Sequence, residues 1–179
     1  TNRLSPLLQP IPTSEQPQSD PSLPTDWWAG EITIKYLAHS SFQIKSAKGV
    51  KIITDPYTPS KLLDYSPISE SADIVTVSSE RVDSNNIGAV NGQPVIIRET
   101  GIKSIKGIDF EGISSALGNP DGSIESGQNT IFVFTVDGIR FCHLGALGQN
   151  LNPEMISKIG KIDVLFIPIG GYDTIDTQT

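Results

Sequence analysis

The chain has 179 residues, enough for one domain with a sizeable core and too few for two full ones. Twenty acidic against thirteen basic residues leave a formal charge of -7, which argues against nucleic acid as a partner because the clustered Lys and Arg that hold phosphates are missing. A single cysteine, Cys142, excludes an internal disulfide framework and any cysteine-based zinc knuckle.

Thr1 to Asp26 hold six of the thirteen prolines, with Ser, Gln and Thr between them, a composition that buries too little apolar surface to fold alone. Residues 1–26 are therefore expected to be a Pro-rich tether or extension, and 27–179 the domain proper. Such a lead-in suits a link to a lipid anchor or membrane segment upstream, outside the cytoplasm, as well as it suits a disordered extension of a cytoplasmic protein. If ordered, it would lie on a surface through Leu4, Leu7, Leu8 and Ile11. No apolar run approaches the roughly 18 to 20 residues of a membrane span, and no signal-peptide pattern is visible. Trp27 and Trp28 are expected to cover the edge of the first strand, with a partner anchor as the alternative.

From Glu31 onward, short β-branched runs alternate with turn signals, the mark of an antiparallel or mixed sheet system. Strands are predicted at Ile32–Tyr36, Ser41–Lys45, Val50–Thr54, Asp73–Val77 and Pro94–Arg98, with a short helical stretch near Asn86 to Val90. Thr130–Val136 and Ile139–Cys142 flank Asp137-Gly138, a pair suited to a turn in which both residues need positive φ. A helix follows, capped by Asn152, started by Pro153, carrying Met155, Ile156 and Ile159 on one face and closed by Gly160. Ile162–Pro168 is predicted as a buried strand that ends at Gly170-Gly171.

Several runs carry a family likeness: Tyr36-Leu37-Ala38-His39-Ser40-Ser41-Phe42, Gly49-Val50-Lys51-Ile52-Ile53-Thr54-Asp55-Pro56, Val77-Ser78-Ser79-Glu80-Arg81-Val82-Asp83-Ser84-Asn85-Asn86 and Cys142-His143-Leu144-Gly145-Ala146-Leu147-Gly148. Together they resemble the metallo-β-lactamase superfamily, in its branch of lactonase-like zinc hydrolases. The resemblance implies an α/β fold, a four-layer αββα sandwich with the metal site at one edge of the paired sheets, here with its C-terminal part missing. It also implies a central run of the form Ser/Thr-His-x-His-x-Asp-His-Asn-Asn. Against that pattern Ser79, Arg81 and Ser84 stand in histidine slots, Asp83 is retained, and Leu117 and Ala146 fall where a further histidine and the bridging aspartate belong.

A hydrolytic zinc centre needs neutral imidazoles and carboxylates converging on each ion. The chain has two histidines, His39 and His143, and by the resemblance neither occupies a ligand slot. No metal and no cofactor are therefore expected. A compensating cluster from Asp55, Asp83, Asp121 or Asp176 would suit Mg or Ca better than zinc. Asp83 is expected to pair with Arg81 or to cap the following helix, Asp55 to brace the site loops, and Arg81, with Asp55, to offer an anion or ligand contact. Cys142 and His143 are strand neighbours facing opposite ways and cannot act as a nucleophile and base. The expectation is a non-catalytic member used as a structural, assembly or binding subunit with a protein partner. The alternative is a metal-dependent hydrolase of small esters, lactones or phosphorylated substrates with an atypical site.

Overall fold

The structure, a computed structural model, describes residues 30–59, 65–118, 124–170 and 174–175. The predicted tether 1–26, Trp27, Trp28, Asp121 and Asp176 lie outside the described residues.

Among the described residues, two five-stranded sheets form the body of the molecule. The first follows chain order: β1 (Thr33–Ala38), β2 (Ser41–Lys45), β3 (Lys51–Thr54), β4 (Ile74–Thr76) and β5 (Val95–Ile97). β1 to β3 run antiparallel, while β4 and β5 are added in parallel. Parallel neighbours need a crossover between them. The crossovers after β3 and β4 leave from the carboxyl ends of those strands, where sheets of this kind hold their ligands. They carry Asp55 and the run Ser78 to Asn86, and the second contains one 3-10 turn at Ile87–Ala89.

The second sheet contains β6 (Gly101–Ile105), β7 (Ile108–Gly118), β8 (Ile124–Val136), β9 (Ile139–His143) and β10 (Val164–Phe166), in the order β10-β9-β8-β7-β6. The hairpin at Asp137-Gly138 forms as expected, with φ of 47° and 84°. β6 and β7 were not anticipated from the sequence. They are joined by Lys106-Gly107, with φ of 53° and 77°, a two-residue turn whose first member is not the Asn or Asp that advertises one.

The inner faces of the sheets meet in one core, where Ile44, Ile52, Ile74 and Ile97 pack against Phe110, Phe132, Phe134, Phe141 and Phe166. Branched aliphatics line one wall and rings the other, with Phe134 and Phe141 stacked at 5.4 Å between centroids. The outer face of the second sheet, with Ile113, Ile131, Val133 and Cys142, is covered by Met155 and Ile159 of α1 (Pro153–Ile159) and by Leu144 and Leu147. The crossovers cover the other outer face, through Tyr57, Ile68 and Val90 over Ile53 and Val75. This is the four-layer αββα sandwich, with little helix in its outer layers among the described residues.

The ends of α1 are built as predicted: the Asn152 side chain accepts from Met155 N at 2.9 Å, and Gly160 closes the helix at φ 64°. Two local expectations change. Ile156 is 54% exposed, because only Met155 and Ile159, one turn apart, share the buried face. β10 is an edge strand and not a buried one, so Leu165 is 44% exposed.

Candidate active site

At the end of β3 the backbone of Asp55 turns through φ 38°, and its side chain is fully buried. The carboxylate accepts from Ser78 N at 2.7 Å and from Ser78 Oγ, fastening one crossover to the other. Burial pushes the Asp55 carboxyl above its ordinary value, against the opposing pull of His143 and the two Ser78 hydrogen bonds. Ser78 O in turn accepts from Thr130 N at 2.8 Å, which ties the crossover to β8. The loop leaving β9 closes on the same spot. Gly145 has φ 61°, and a Cβ there would stand 2.4 Å from Ser78 Cβ, so glycine alone permits the approach.

Beyond Ser78 the chain makes a tight turn, with Ser84 N donating to Arg81 O at 3.0 Å, and presents Asp83 inward. Asp83 Oδ2 lies 3.1 Å from His39 Nε2, a pair that spans 44 positions of sequence. His39 is held in the β1–β2 turn at φ 54°. That hydrogen bond holds the Asp83 carboxyl below its ordinary value; partial burial opposes it, and the charges of His39 and Arg81 add to the lowering. Asp83 is therefore a carboxylate that orients an imidazole.

The second histidine reaches the same place from β9. His143 Nε2 lies 3.1 Å from Ser40 O, and because a carbonyl only accepts, Nε2 carries the proton. The ring meets Phe42 and Phe166 edge-on, at centroid distances of 6.4 and 6.1 Å. Burial pushes its pKa down, opposed by the Asp55 charge and the Ser40 hydrogen bond. His143 Nδ1 has no hydrogen-bond partner among the described residues.

These side chains line a cavity of about 310 Å³ at one edge of the paired sheets. Arg81, Asp83, Ser84 and Ala146, all singled out from sequence, meet there. His39 and His143, set aside from sequence because they match no ligand slot, are on its wall as well. Four expectations are corrected. Ser79 faces a separate cleft of about 170 Å³ with Glu80, Arg98 and Thr130. Leu117 is buried and bridges to Leu147, at a point where the β7–β8 register shifts by two residues. Asp55 cannot be a ligand contact, since it is fully buried with both carboxylate oxygens on Ser78. Asp83 caps nothing: the 3-10 turn starts after Asn86 without a side-chain cap, and His39 takes the bond expected for Arg81. Cys142, as expected, faces away from His143, into the apolar layer under α1, where burial pushes its thiol up to about 12.

A family model described as a beta-lactamase superfamily domain matches residues 33–179. The chain belongs to the metallo-β-lactamase superfamily. It is 26% identical to a UPF0173 metal-dependent hydrolase of Alkaliphilus metalliredigens, over 82% of this chain and 77% of that protein. It is 32% identical to the solved structure of a candidate Zn-dependent hydrolase of the superfamily from Thermotoga maritima, with a TM-score of 0.66, covering 83% of this chain and 66% of that one. Igni18, a metallo hydrolase of Ignicoccus hospitalis, shares the fold at 17% identity and a TM-score of 0.58, over 82% of this chain and 74% of its own.

These relatives correct the expectation of a non-catalytic structural or binding subunit. Proteins alike over most of this chain are named as hydrolases, so membership points to an enzyme. The sequence-based expectation weighed the replaced ligand positions and set aside His39 and His143, which match no ligand slot but which the fold brings to the cavity wall. The zinc pair implied by the superfamily does not fit the side chains present. Among the described residues no group of three or more His, Cys, Asp or Glu could hold a metal ion. Asp83 is already engaged with His39, while Ser84 and Ala146 offer a hydroxyl and a methyl where imidazole and carboxylate belong.

Proposed function

We propose that this protein is a hydrolase of small esters, lactones or phosphorylated substrates with an atypical site, in which His39 and Asp83 activate the attacking water. The observation that carries it is the 3.1 Å His39–Asp83 pair on the wall of the cavity. With Nε2–H directed at the carboxylate, Nδ1 is the basic nitrogen of His39. A carboxylate-oriented imidazole of this kind takes a proton from water as the oxygen attacks a carbonyl or phosphoryl centre. Arg81 supplies positive charge on the same wall, where the attacked group becomes more negative. Phe42, Phe166 and Ile167 give an apolar wall for the rest of the substrate. The names of the superfamily relatives support hydrolysis as the reaction class.

The test is a panel of p-nitrophenyl esters, γ-lactones and p-nitrophenyl phosphate, assayed with chelator-stripped protein and with protein supplied with Zn or Mn. Hydrolysis of at least one class is expected, falling about 10²- to 10⁴-fold in kcat/KM in His39→Ala and less steeply in Asp83→Asn. No turnover under either condition, or turnover that both substitutions leave intact, refutes the proposal.

A further inference from the structure

The hydrolytic scheme uses His39 and Asp83 and leaves His143 without a task. His143 is 2% exposed, yet its ring lines the cavity and its Nδ1 meets no partner among the described residues. Buried polar atoms are hydrogen-bonded in the great majority of cases, so an unmet one on a cavity wall indicates where a bound molecule completes the set. The kind of atom needed follows from the other nitrogen. Nε2 gives its proton to Ser40 O, so Nδ1 of the neutral ring presents a lone pair and accepts only. The ring packs edge-on beside the stacked Phe42 and Phe166, and the Nε2 bond to Ser40 O sets its orientation. Asp55, the charged group that acts on this ring from β3, has both oxygens on Ser78 and leaves Nδ1 unbonded.

We propose that His143 Nδ1 is a specificity element that accepts a hydrogen bond from a hydroxyl of the bound substrate, while Arg81 holds its negative charge. The substrate class is thereby narrowed to hydroxyl-bearing anions, such as phosphate esters of polyols or esters and lactones of hydroxy acids. A ligand without the hydroxyl leaves the lone pair buried and unmet, and such a loss is what lets a site reject a near-isostere. The inference rests on the cavity being the substrate site of the proposed hydrolase. It is read by binding without turnover, so its failure and that of hydrolysis are separable.

The experiment uses the full chain with two probes of equal charge, glycerol 3-phosphate and propyl phosphate, titrated by calorimetry. The wild type is expected to bind glycerol 3-phosphate about tenfold more tightly. His143→Gln keeps a donor for Ser40 O and removes the acceptor at Nδ1; it is expected to bind both probes equally, with propyl phosphate affinity unchanged. His143→Asn keeps an acceptor near the Nδ1 position and is expected to retain the preference. In the wild type, the ¹⁵N resonance of His143 Nδ1 should move with glycerol 3-phosphate and stay in place with propyl phosphate, a reading that holds even if a variant fails to fold. Equal binding of the probes by the wild type, a preference that survives in His143→Gln, or an Nδ1 resonance indifferent to both probes overturns the proposal.

Discussion

Replacing Asp55 by alanine tests whether one buried carboxylate joins the two crossovers that carry the site. The substitution strips the acceptor from Ser78 N–H and Ser78 Oγ–H, and Ser78 is itself 2% exposed, so water cannot replace it. Each buried donor left unmet costs about 1 to 3 kcal/mol. The backbone at position 55 adds to this, because φ is 38° and alanine tolerates the left-handed region less well than Asp or Asn, by roughly 1 kcal/mol. Removing a buried carboxylate returns part of its desolvation cost. The expected net loss is about 3 to 4 kcal/mol, a large part of the roughly 5 to 15 kcal/mol that holds a domain together. Asp55→Asn keeps an acceptor for Ser78 N and accepts the same backbone, so it should cost about 1 kcal/mol. Urea titrations of the three proteins, with an unchanged slope, measure the difference. A loss below about 1 kcal/mol for Asp55→Ala, or an Asn variant as unstable as the Ala variant, would show that Asp55 does not fasten the crossovers.

Gly145→Ala should destabilise by about 3 kcal/mol or more, because its Cβ would stand 2.4 Å from Ser78 Cβ and 2.5 Å from Asn129 Oδ1. Gly138→Ala, at φ 84° with nothing within 4 Å, should cost only about 1 kcal/mol; equal melting temperatures for the two variants would contradict the close approach at Gly145. Stability should fall in acid. Asp83, Asp73 and Glu70 are held below their ordinary values, first of all by His39, Lys106 and Lys35 respectively, so their contribution is complete above the unfolded values of 3.8 and 4.5 and is lost as pH drops through the lowered folded ones. Asp55, shifted upward, acts in the opposite sense and costs stability as pH rises through its folded value. Urea midpoints measured from about pH 3 to 6 should show the acid loss, with a smaller change in Asp83→Asn; coincident curves for the two proteins would count against the His39 pairing.

Features set by neighbouring residues were legible in the sequence. Asp137-Gly138 and the Asn152 to Gly160 helix carry their geometry in residues a few positions apart, and both formed as expected. Lys106-Gly107 uses the same backbone as Asp137-Gly138 without the short polar side chain that signals it, and the hairpin it makes was missed. Family motifs carried the sandwich and brought Arg81, Asp83, Ser84 and Ala146 to one cavity. They failed for Leu117, which lies where the β7–β8 register shifts by two residues and bridges to Leu147 away from the cavity. The largest gap was His39. Its pairing with Asp83 depends on how a β1–β2 turn docks against a crossover 44 positions away, and no local pattern records that.

The alternation of β9 gives the molecule an internal reporter. Cys142 and His143 are separated by one peptide bond, yet one lies in the apolar layer beneath α1 and the other on the cavity wall. The chain's only thiol is therefore sealed off while that layer is closed, and its high pKa adds chemical inertness to the steric cover. The rate at which a thiol reagent titrates this one atom is then a clock for the opening of the second sheet's outer layer, free of interference from anything bound on the other side of the strand.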